Sequence, residues 1–313
     1  SSMFTTEEAE EKYMLKGDGV FSENAGENWT VGFSSTVLTP EDVSSDKYYI
    51  AGYNTNNPAT GVLDDMLAKA VYINDNTGRG GVVICAIDCV GISRADINDI
   101  RQAVIDSGKI PELKSINICS THTHSAIDTQ GLWGKAFYSD GKNDDFMTAL
   151  KEKTAAAIID AYNARKIGNL YFGTAEAEGL QTDTRTPVDF DTTITSIRFS
   201  PFDKSADTYI INYACHAEML GSKTNVVSAD FPAYMSKEIS EKTNGANVVF
   251  LNGAIGNLIT GAEIDSFLRG ELSECIEHTK EYGKDVADLI LDINNETELA
   301  PLINIKTETV SVL

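Results

Sequence analysis

The chain has 313 residues, enough for one large α/β domain or two small ones, and its 42% apolar and 23% charged residues are ordinary globular proportions. Its formal net charge of -22 argues against nucleic acid as a partner, because a phosphate backbone repels such a chain. No stretch is long and apolar enough to predict a transmembrane segment, since the longest apolar run, residues 80–92, is too short and contains Asp88.

The first strong pattern is a hairpin followed by a helix. Residues 68–75 and 81–88 are rich in β-branched side chains, and NTGRG between them favours a turn. Ser93 then precedes a run in which the apolar residues recur with the helical period. Because serine is a preferred first residue of a helix, the pattern predicts a helix over 94–108.

Strands and helices alternate along the rest of the chain. Further strands are predicted over residues 115–120, 169–178, 194–200, 208–216, 247–253 and 303–313, and further helices over 144–165, 231–243 and 274–293. This alternation, with strands that are apolar on both faces, predicts an α/β fold with a mixed sheet flanked by helices in a single large domain. We expect that domain over residues 29–313, after a polar, acidic lead-in over residues 1–28.

Three of the four histidines follow predicted strands. His122 and His124 come directly after the strand at 115–120, and His216 ends the strand at 208–216. Functional groups of open α/β sheets gather beyond the carboxyl ends of the strands. Residues two apart in an extended segment point to the same side, and imidazole suits zinc, whose catalytic sites usually have three protein ligands. The spacing therefore indicates a metal site, with ordinary polar loop histidines as the alternative.

The fourth histidine and the cysteines have structural interpretations. His278 lies in the charged segment EHTKEYGKD, which is typical of a solvated helix face. Cys85, Cys119 and Cys215 lie in β-branched runs, where free cysteine behaves as a small core residue. A nucleophilic pair of Cys215 with the next residue, His216, is disfavoured because adjacent residues of a strand point to opposite sides.

Several motifs together resemble the neutral/alkaline, non-lysosomal ceramidase family. In chain order they are AGYNTNNPATGVLDDMLAKAVYI (51–73), CAIDCVG (85–91), THTHSA (121–126), YACH (213–216), VVSADFPAY (226–234) and VVFLNGAIGN (248–257). The resemblance runs from Trp29 to Leu258 and concerns the family's N-terminal catalytic domain. THTHS and the SADFP stretch are fairly specific in combination, whereas the glycine-rich pieces are not.

The resemblance implies a zinc amidase that cleaves the N-acyl bond of ceramide, a lipid or small-molecule substrate, and an extracytoplasmic location. His122 and His216 would be zinc ligands. His124 would lie in the active site without being a ligand, where it hydrogen-bonds the attacked amide oxygen. The family's arginine corresponds to Arg185 in TDTRTPVDF, with Thr184 where asparagine is usual; an ordinary surface arginine in a loop is the alternative.

Two aspartates are candidates for orienting a ligand histidine through a hydrogen bond. Asp88 ends a predicted strand. Asp230 precedes the helix predicted over 231–243, so capping that helix is its alternative role.

The resemblance is incomplete. The family's remaining zinc ligands, a glutamate and a tyrosine, lie beyond the matched region, and Asn257 stands where aspartate is usual. The chain is therefore expected to be cut short at its C-terminal end, to complete its metal shell differently, or to bind no metal. Alternative functions are a metal hydrolase acting on another N-acyl, ester or glycoconjugate substrate, and a binding domain without catalysis.

A lipid substrate would need an apolar groove. Leu132, Trp133, Phe137 and Tyr138, which follow the histidine pair, could contribute to one, although ordinary packing of a loop explains them equally well. The sequence indicates no oligomeric state.

Overall fold

A mixed nine-stranded sheet organises the part of the chain that this computed structural model describes, residues 19–260 and 271–306. The strands are β1 (Trp29–Val37), β2 (Gly61–Val62), β3 (Leu67–Asn74), β4 (Gly81–Ile87), β5 (Leu113–Ser120), β6 (Lys166–Glu176), β7 (Gln181–Asp183), β8 (Thr193–Pro201), β9 (Thr208–Tyr213), β10 (Val226–Val227), β11 (Asn247–Asn252), β12 (Leu258–Thr260) and β13 (Thr297–Leu299). The helices are α1 (Arg94–Asp106), α2 (Asp144–Asn163), α3 (Phe231–Lys242) and α4 (Leu272–Leu291).

The strand order of the large sheet is β11-β9-β8-β6-β1-β3-β4-β5, and β13 also pairs with β6. The pairs β4–β5 and β9–β11 are parallel, and the remaining pairs of this sheet are antiparallel. Two small sheets pair β2 with β10 and β7 with β12. The α/β fold with a mixed sheet and flanking helices, predicted from the sequence, is confirmed.

The large sheet folds back on itself. Edge strand β11 contacts β4 and β5, although these strands stand at opposite ends of the strand order. Between the two halves lies one apolar cluster, to which most strands contribute. Its buried members are Trp29, Val31, Val71, Ile73, Ala86, Leu170, Phe199, Ile210 and Val249. Because side chains alternate along a strand, the intervening residues face outward to the helices.

The four helices cover the two outer faces. α1 and α2 pack with β3 and β4 around a second cluster that includes Ala70, Tyr72 and Ile158. α3 and α4 pack with β9 and β11 around a third cluster that includes Ile211 and Phe231. The resulting layers are helices, half-sheet, half-sheet and helices.

Several helix starts follow from the sequence. Ser93 accepts a hydrogen bond from Asp96 N at the start of α1, and Asn143 accepts one from Phe146 N at the start of α2. Asp230 caps α3 by accepting a hydrogen bond from Phe231 N at 2.8 Å. The capping role considered for Asp230 is therefore the one that the structure shows.

Other elements differ from the prediction. β1, at the centre of the sheet, was not predicted; Gly32 interrupts its otherwise strand-favouring residues. Gly32 is needed there, since a Cβ atom would lie 1.9 Å from Ala161 O on α2. The strand expected over 303–313 is absent from residues 303–306, whereas 307–313 lie outside the described residues.

Two further expectations concern cysteines and membrane spans. Cys85 and Cys215 are fully buried without a disulfide, in agreement with a role in the core. In the stretches 19–260 and 271–306, none of the helices has the length and apolar character needed to cross a bilayer.

Asp64 ties the segment before β3 to the segment before α3. Its carboxylate accepts hydrogen bonds from Ser228 Oγ at 2.5 Å and from Ala229 N at 2.7 Å. Burial raises the pKa of Asp64 from 3.8 to about 7, although both hydrogen bonds act in the opposite direction. The folded protein thus keeps this proton over a pH range in which the unfolded chain loses it.

This raised pKa predicts a pH-dependent stability. The stabilising contribution of the extra proton is fully present below pH 3.8 and is lost as the pH rises through about 7. Between pH 5 and pH 8 we expect the unfolding free energy of Asp64→Asn to fall less than that of the wild type. The two decreases should differ by a few kcal/mol at most, since one pKa unit corresponds to about 1.4 kcal/mol. Urea denaturation at both pH values measures this. Asp65→Asn, an exposed neighbour, is the control and should follow the wild type. Equal losses in all three proteins would contradict the prediction.

Candidate metal centre

Two loops bring three histidines together. His122 and His124 lie in the loop after β5, and His216 lies in the loop after β9. The loops are joined by a backbone hydrogen bond from His124 N to Ala217 O, 2.9 Å long. One ring nitrogen of each histidine lies within 4.8 Å of those of the other two. The strand ends that the sequence indicated therefore meet at one point.

Backbone carbonyls orient two of the three imidazoles. His122 Nδ1 lies 2.6 Å from Val90 O, and His216 Nδ1 lies 2.9 Å from Leu258 O. A carbonyl oxygen only accepts, so each Nδ1 carries the proton and donates it. Each Nε2 then has a free lone pair, which is the form of histidine that binds metal ions.

The two aspartates considered as histidine partners bond other groups. Asp88 accepts hydrogen bonds from Thr121 Oγ1 at 3.1 Å and from Leu67 N at 2.9 Å. Asp230, besides capping α3, accepts one from Leu220 N at 3.1 Å. Both aspartates thus hold the backbone around the cluster, and carbonyls take the role of orienting the rings.

His124 has different surroundings. Its Nε2 lies 3.1 Å from His122 Nε2. Its Nδ1 is buried and lies 3.4 Å from Glu218 Oε2, without the geometry of a hydrogen bond. Glu218 Oε2 in turn accepts a hydrogen bond of 2.8 Å from the hydroxyl of Tyr53.

Glu218 and Tyr53 were missed by the sequence reasoning. Glu218 follows His216 by two residues, a spacing that places both side chains on one side of an extended segment. Tyr53 lies in the glycine–tyrosine segment that supported the family resemblance, and its ring packs edge-on against His124, with 5.2 Å between ring centroids. Both residues could have been flagged by these signals.

Burial keeps the imidazoles neutral. It lowers the pKa of His122 and of His216 and, together with the neighbouring histidines, lowers the pKa of His124 from 6.5 to about 3. Metal binding requires deprotonated nitrogen, so a neutral cluster is ready to accept a cation at neutral pH.

Gly52 allows the backbone of its segment to lie close to His124. Its φ of +121° is a conformation that side chains disfavour, and a Cβ atom there would lie 2.6 Å from His124 Cβ. The backbone of the 51–57 segment can therefore approach the imidazole closely only because residue 52 is glycine.

Arg185 lies at the edge of this region. It is exposed in the loop after β7, where Thr184 N donates to Asn257 O, next to the residue whose carbonyl holds His216. No hydrogen bond or ion pair links its guanidinium to the three histidines. His278 is exposed on α4, away from the cluster.

Apolar side chains project from the loop after the histidine pair. Leu132, Phe137 and Tyr138 are 62%, 89% and 80% exposed, whereas Trp133 is partly buried. The loop is joined to the 51–57 segment by a hydrogen bond from Asn56 N to the carbonyl of residue 134. We call the three exposed residues the apolar loop patch.

A cavity of about 410 Å³ lies beside the centre, on the far side of Thr121 and Asp88. Its walls come from β1, β3, β11 and α3 and include Lys69, whose Nζ donates to Ser236 Oγ at 3.3 Å. None of the three histidines lines this cavity, so it is separate from the candidate metal centre.

Comparison with known proteins gives structural neighbours. No family model and no curated protein matches the chain. Among solved structures, the fold is similar to neutral ceramidase from Pseudomonas aeruginosa, with a TM-score of 0.70, 16% identity, and coverage of 88% of this chain and 46% of that chain. It is also similar to a ceramidase complexed with C2, with a TM-score of 0.70, 15% identity, and coverage of 86% and 45%. The chain thus spans about half the length of these neighbours, and the resemblance that the motifs indicated is confirmed at the level of the fold.

The close approach of Gly52 predicts the effect of one methyl group. We expect Gly52→Ala to displace His124, to weaken any binding of a metal ion to the cluster at least about tenfold and to lower the unfolding free energy by about 2 kcal/mol or more. Chelator competition and urea denaturation measure the two effects. Gly61→Ala, where a Cβ atom has 3.9 Å to its nearest neighbour, should match the wild type. Unchanged metal affinity in Gly52→Ala would show that this contact does not set the geometry of the centre.

Proposed function

We propose that this chain, which shares its fold with the neutral ceramidases, is a zinc-dependent amidohydrolase that cleaves the N-acyl bond of ceramide or a related N-acyl lipid. The observation that carries the proposal is the pair His122 and His216, whose Nδ1 atoms contact backbone carbonyls and which lie with His124 in a cluster whose ring nitrogens are within 4.8 Å of one another. Histidines oriented in this way are typical of catalytic zinc sites.

The residues of the cluster fit a zinc ion. Imidazole nitrogen is a preferred zinc ligand, and three imidazoles lie together, each partly buried. His122 Nε2 and His124 Nε2 lie 3.1 Å apart. If both atoms present lone pairs, only a cation between them relieves the repulsion.

A zinc ion bound there would supply Lewis acidity, lowering the pKa of a water molecule to about 7 and polarising the amide carbonyl. His122 and His216 would hold that ion. Arg185, exposed on the neighbouring loop, would donate to the amide oxygen, where negative charge develops during the attack. His124 can serve either as a further ligand or as a second donor to that oxygen, depending on which ring nitrogen carries the proton.

The apolar loop patch supports a lipid substrate. Phe137 and Tyr138 project almost fully into solvent from a loop bonded to the segment that packs on His124. Large exposed apolar side chains next to a site are typical of surfaces that contact lipid or protein. We assign this patch to contact with the lipid surface that carries the substrate.

Two alternatives have some support. A metal hydrolase acting on another N-acyl, ester or glycoconjugate substrate would use the same histidines. A binding domain without catalysis is favoured by Asn257 at the position where the family usually has aspartate. Hydrolysis assays on amide and ester substrates separate these alternatives from the proposal.

Metal content tests the centre directly. Protein purified without added metal is expected to contain about one zinc per chain, because neutral histidines with fixed Nδ1 protons bind zinc tightly. The double variant His122→Ala/His216→Ala should lose the zinc and lower kcat/KM for N-acyl sphingosine by at least about 1,000-fold. Elemental analysis and release of free fatty acid measure the two effects.

His278→Ala is the matched control, since this histidine is exposed on a helix and should affect neither zinc nor activity. A wild type that binds no metal even after zinc is supplied would overturn the proposal. Zinc binding with hydrolysis of esters alone would favour the other hydrolase, and zinc binding without hydrolysis would favour a binding domain.

The apolar loop patch gives a second prediction. We expect Phe137→Ser/Tyr138→Ser to lower hydrolysis of a long-chain substrate in vesicles about tenfold or more, because the loss of apolar area weakens contact with the lipid. Hydrolysis of a short-chain, water-soluble analogue should not change. Phe202→Ser, at a 58% exposed position in the β8–β9 turn, is the control and should leave both rates unchanged. Equal loss on both substrates would contradict a role in lipid contact.

A further inference from the structure

One lysine points into the space between the two half-sheets. Lys69 lies in β3, and side chains two residues apart along a strand point to the same side. Val71 and Ile73, two and four residues further along, belong to the apolar cluster between the half-sheets. Lys69 therefore points inward, and it lines the cavity of about 410 Å³ beside the candidate metal centre. A lysine that points into a protein interior is normally paired with an acid.

The ammonium group of Lys69 has only one partner in the described part of the chain. An ammonium has three N–H donors. One of them donates to Ser236 Oγ at 3.3 Å, and the proton of this hydroxyl goes to Pro232 O at 2.7 Å. Among residues 19–260 and 271–306, Lys69 Nζ makes no other hydrogen bond and no ion pair. Two donors are left for a molecule in the cavity.

Two aspartates that line the same cavity are engaged elsewhere. Both oxygens of Asp64 accept hydrogen bonds from the segment before α3, and both oxygens of Asp88 accept them from Thr121 and Leu67. Neither carboxyl group can turn to Lys69 without giving up these bonds. Burial raises the pKa of both aspartates, which favours their uncharged forms and reduces their repulsion of an anion.

Burial also acts on the lysine. It lowers the pKa of Lys69 below its usual 10.5, although the charges of Asp88 and Asp64 act in the opposite direction. An ammonium without a counter-ion is costly in such surroundings. An anion that enters the cavity would therefore stabilise the charged form of Lys69.

Apolar side chains form much of the remaining wall, and they include Phe33, Pro232, Val248 and Phe250. The volume of about 410 Å³ is in the range of small-molecule sites, about 300–1,000 Å³. At about 30 Å³ for a group of the size of a water molecule, the cavity holds on the order of a dozen non-hydrogen atoms. The wall thus fits a molecule with an apolar body and one anionic end.

We propose that this cavity binds a monocarboxylate with an apolar chain, whose carboxylate accepts hydrogen bonds from Lys69 Nζ and whose chain packs against the apolar wall. A chain of about ten carbon atoms fills the volume. Charge-assisted hydrogen bonds between ammonium and carboxylate are roughly twice as strong as those between neutral groups. Inorganic phosphate would pair with the lysine but leave the apolar wall uncovered. Since none of the three histidines lines the cavity, the site needs no metal ion.

Calorimetric titration with sodium decanoate tests the site, in the presence of a chelator so that no metal ion can bind the carboxylate. We expect the wild type to bind about one decanoate per chain, and to bind decanol, which lacks the charge, at least about tenfold more weakly. Lys69→Met keeps a long side chain without its charge and should bind decanoate no more tightly than decanol.

Two further variants separate chain from charge. Ala233→Leu narrows the cavity from the α3 side without changing its charge, and it should weaken the binding of both ligands about tenfold or more. Lys237→Met is the matched control, because this lysine is exposed at the cavity and already pairs with Glu241 at 3.8 Å. It should bind decanoate like the wild type.

Several results would overturn the proposal. They are a wild type that does not bind decanoate, equal binding of decanoate and decanol, unchanged decanoate binding in Lys69→Met, and an equal loss in Lys237→Met. His122→Ala/His216→Ala should bind decanoate like the wild type, whether or not the zinc centre exists. A loss of binding in that double variant would place the carboxylate at the histidine cluster and contradict the proposal. Urea denaturation of each variant excludes unfolding as the cause of a loss.

Discussion

The candidate metal centre depends on two backbone carbonyls that orient the rings of His122 and His216. The carbonyls of Val90 and Leu258 accept the Nδ1 protons of these histidines, so each Nε2 carries a lone pair. A neutral, partly buried cluster of this kind is stabilised by a cation. The backbone at Gly52 lies directly against His124 and limits the positions that this side chain can take.

The sheet makes this arrangement possible. In the strand order of the large sheet, several strands separate β5 from β9. Because the sheet folds back on itself, the loops after these two strands meet, and His124 N donates a hydrogen bond to Ala217 O. The apolar cluster between the half-sheets fixes the position of the two loops relative to each other. The site therefore belongs to neither half alone, and its geometry is set by the packing between them.

Much of this could be predicted from the sequence, and the rest could not for physical reasons. The strand ends carrying the histidines and the cap of α3 follow from local patterns, because periodicity and capping depend on neighbouring residues. β1 escaped prediction because Gly32 interrupts its pattern, and the reason for that glycine, the close approach of α2, is a contact between distant parts of the chain. The partners of His122 and His216 are backbone carbonyls, which any residue supplies, so no side-chain pattern reveals them. Aspartates were considered for that role because only side chains are visible in a sequence.

The fold-back has a consequence for how the protein folds. Pairing residues far apart in the chain raises the contact order, and such contacts form late because closing a long loop costs entropy first. His122 and His216 meet only when the half-sheets have docked. A metal ion that needs both histidines could therefore bind only at the end of folding. Such an ion would link the two half-sheets and make the stability of the whole molecule depend on occupancy of the centre.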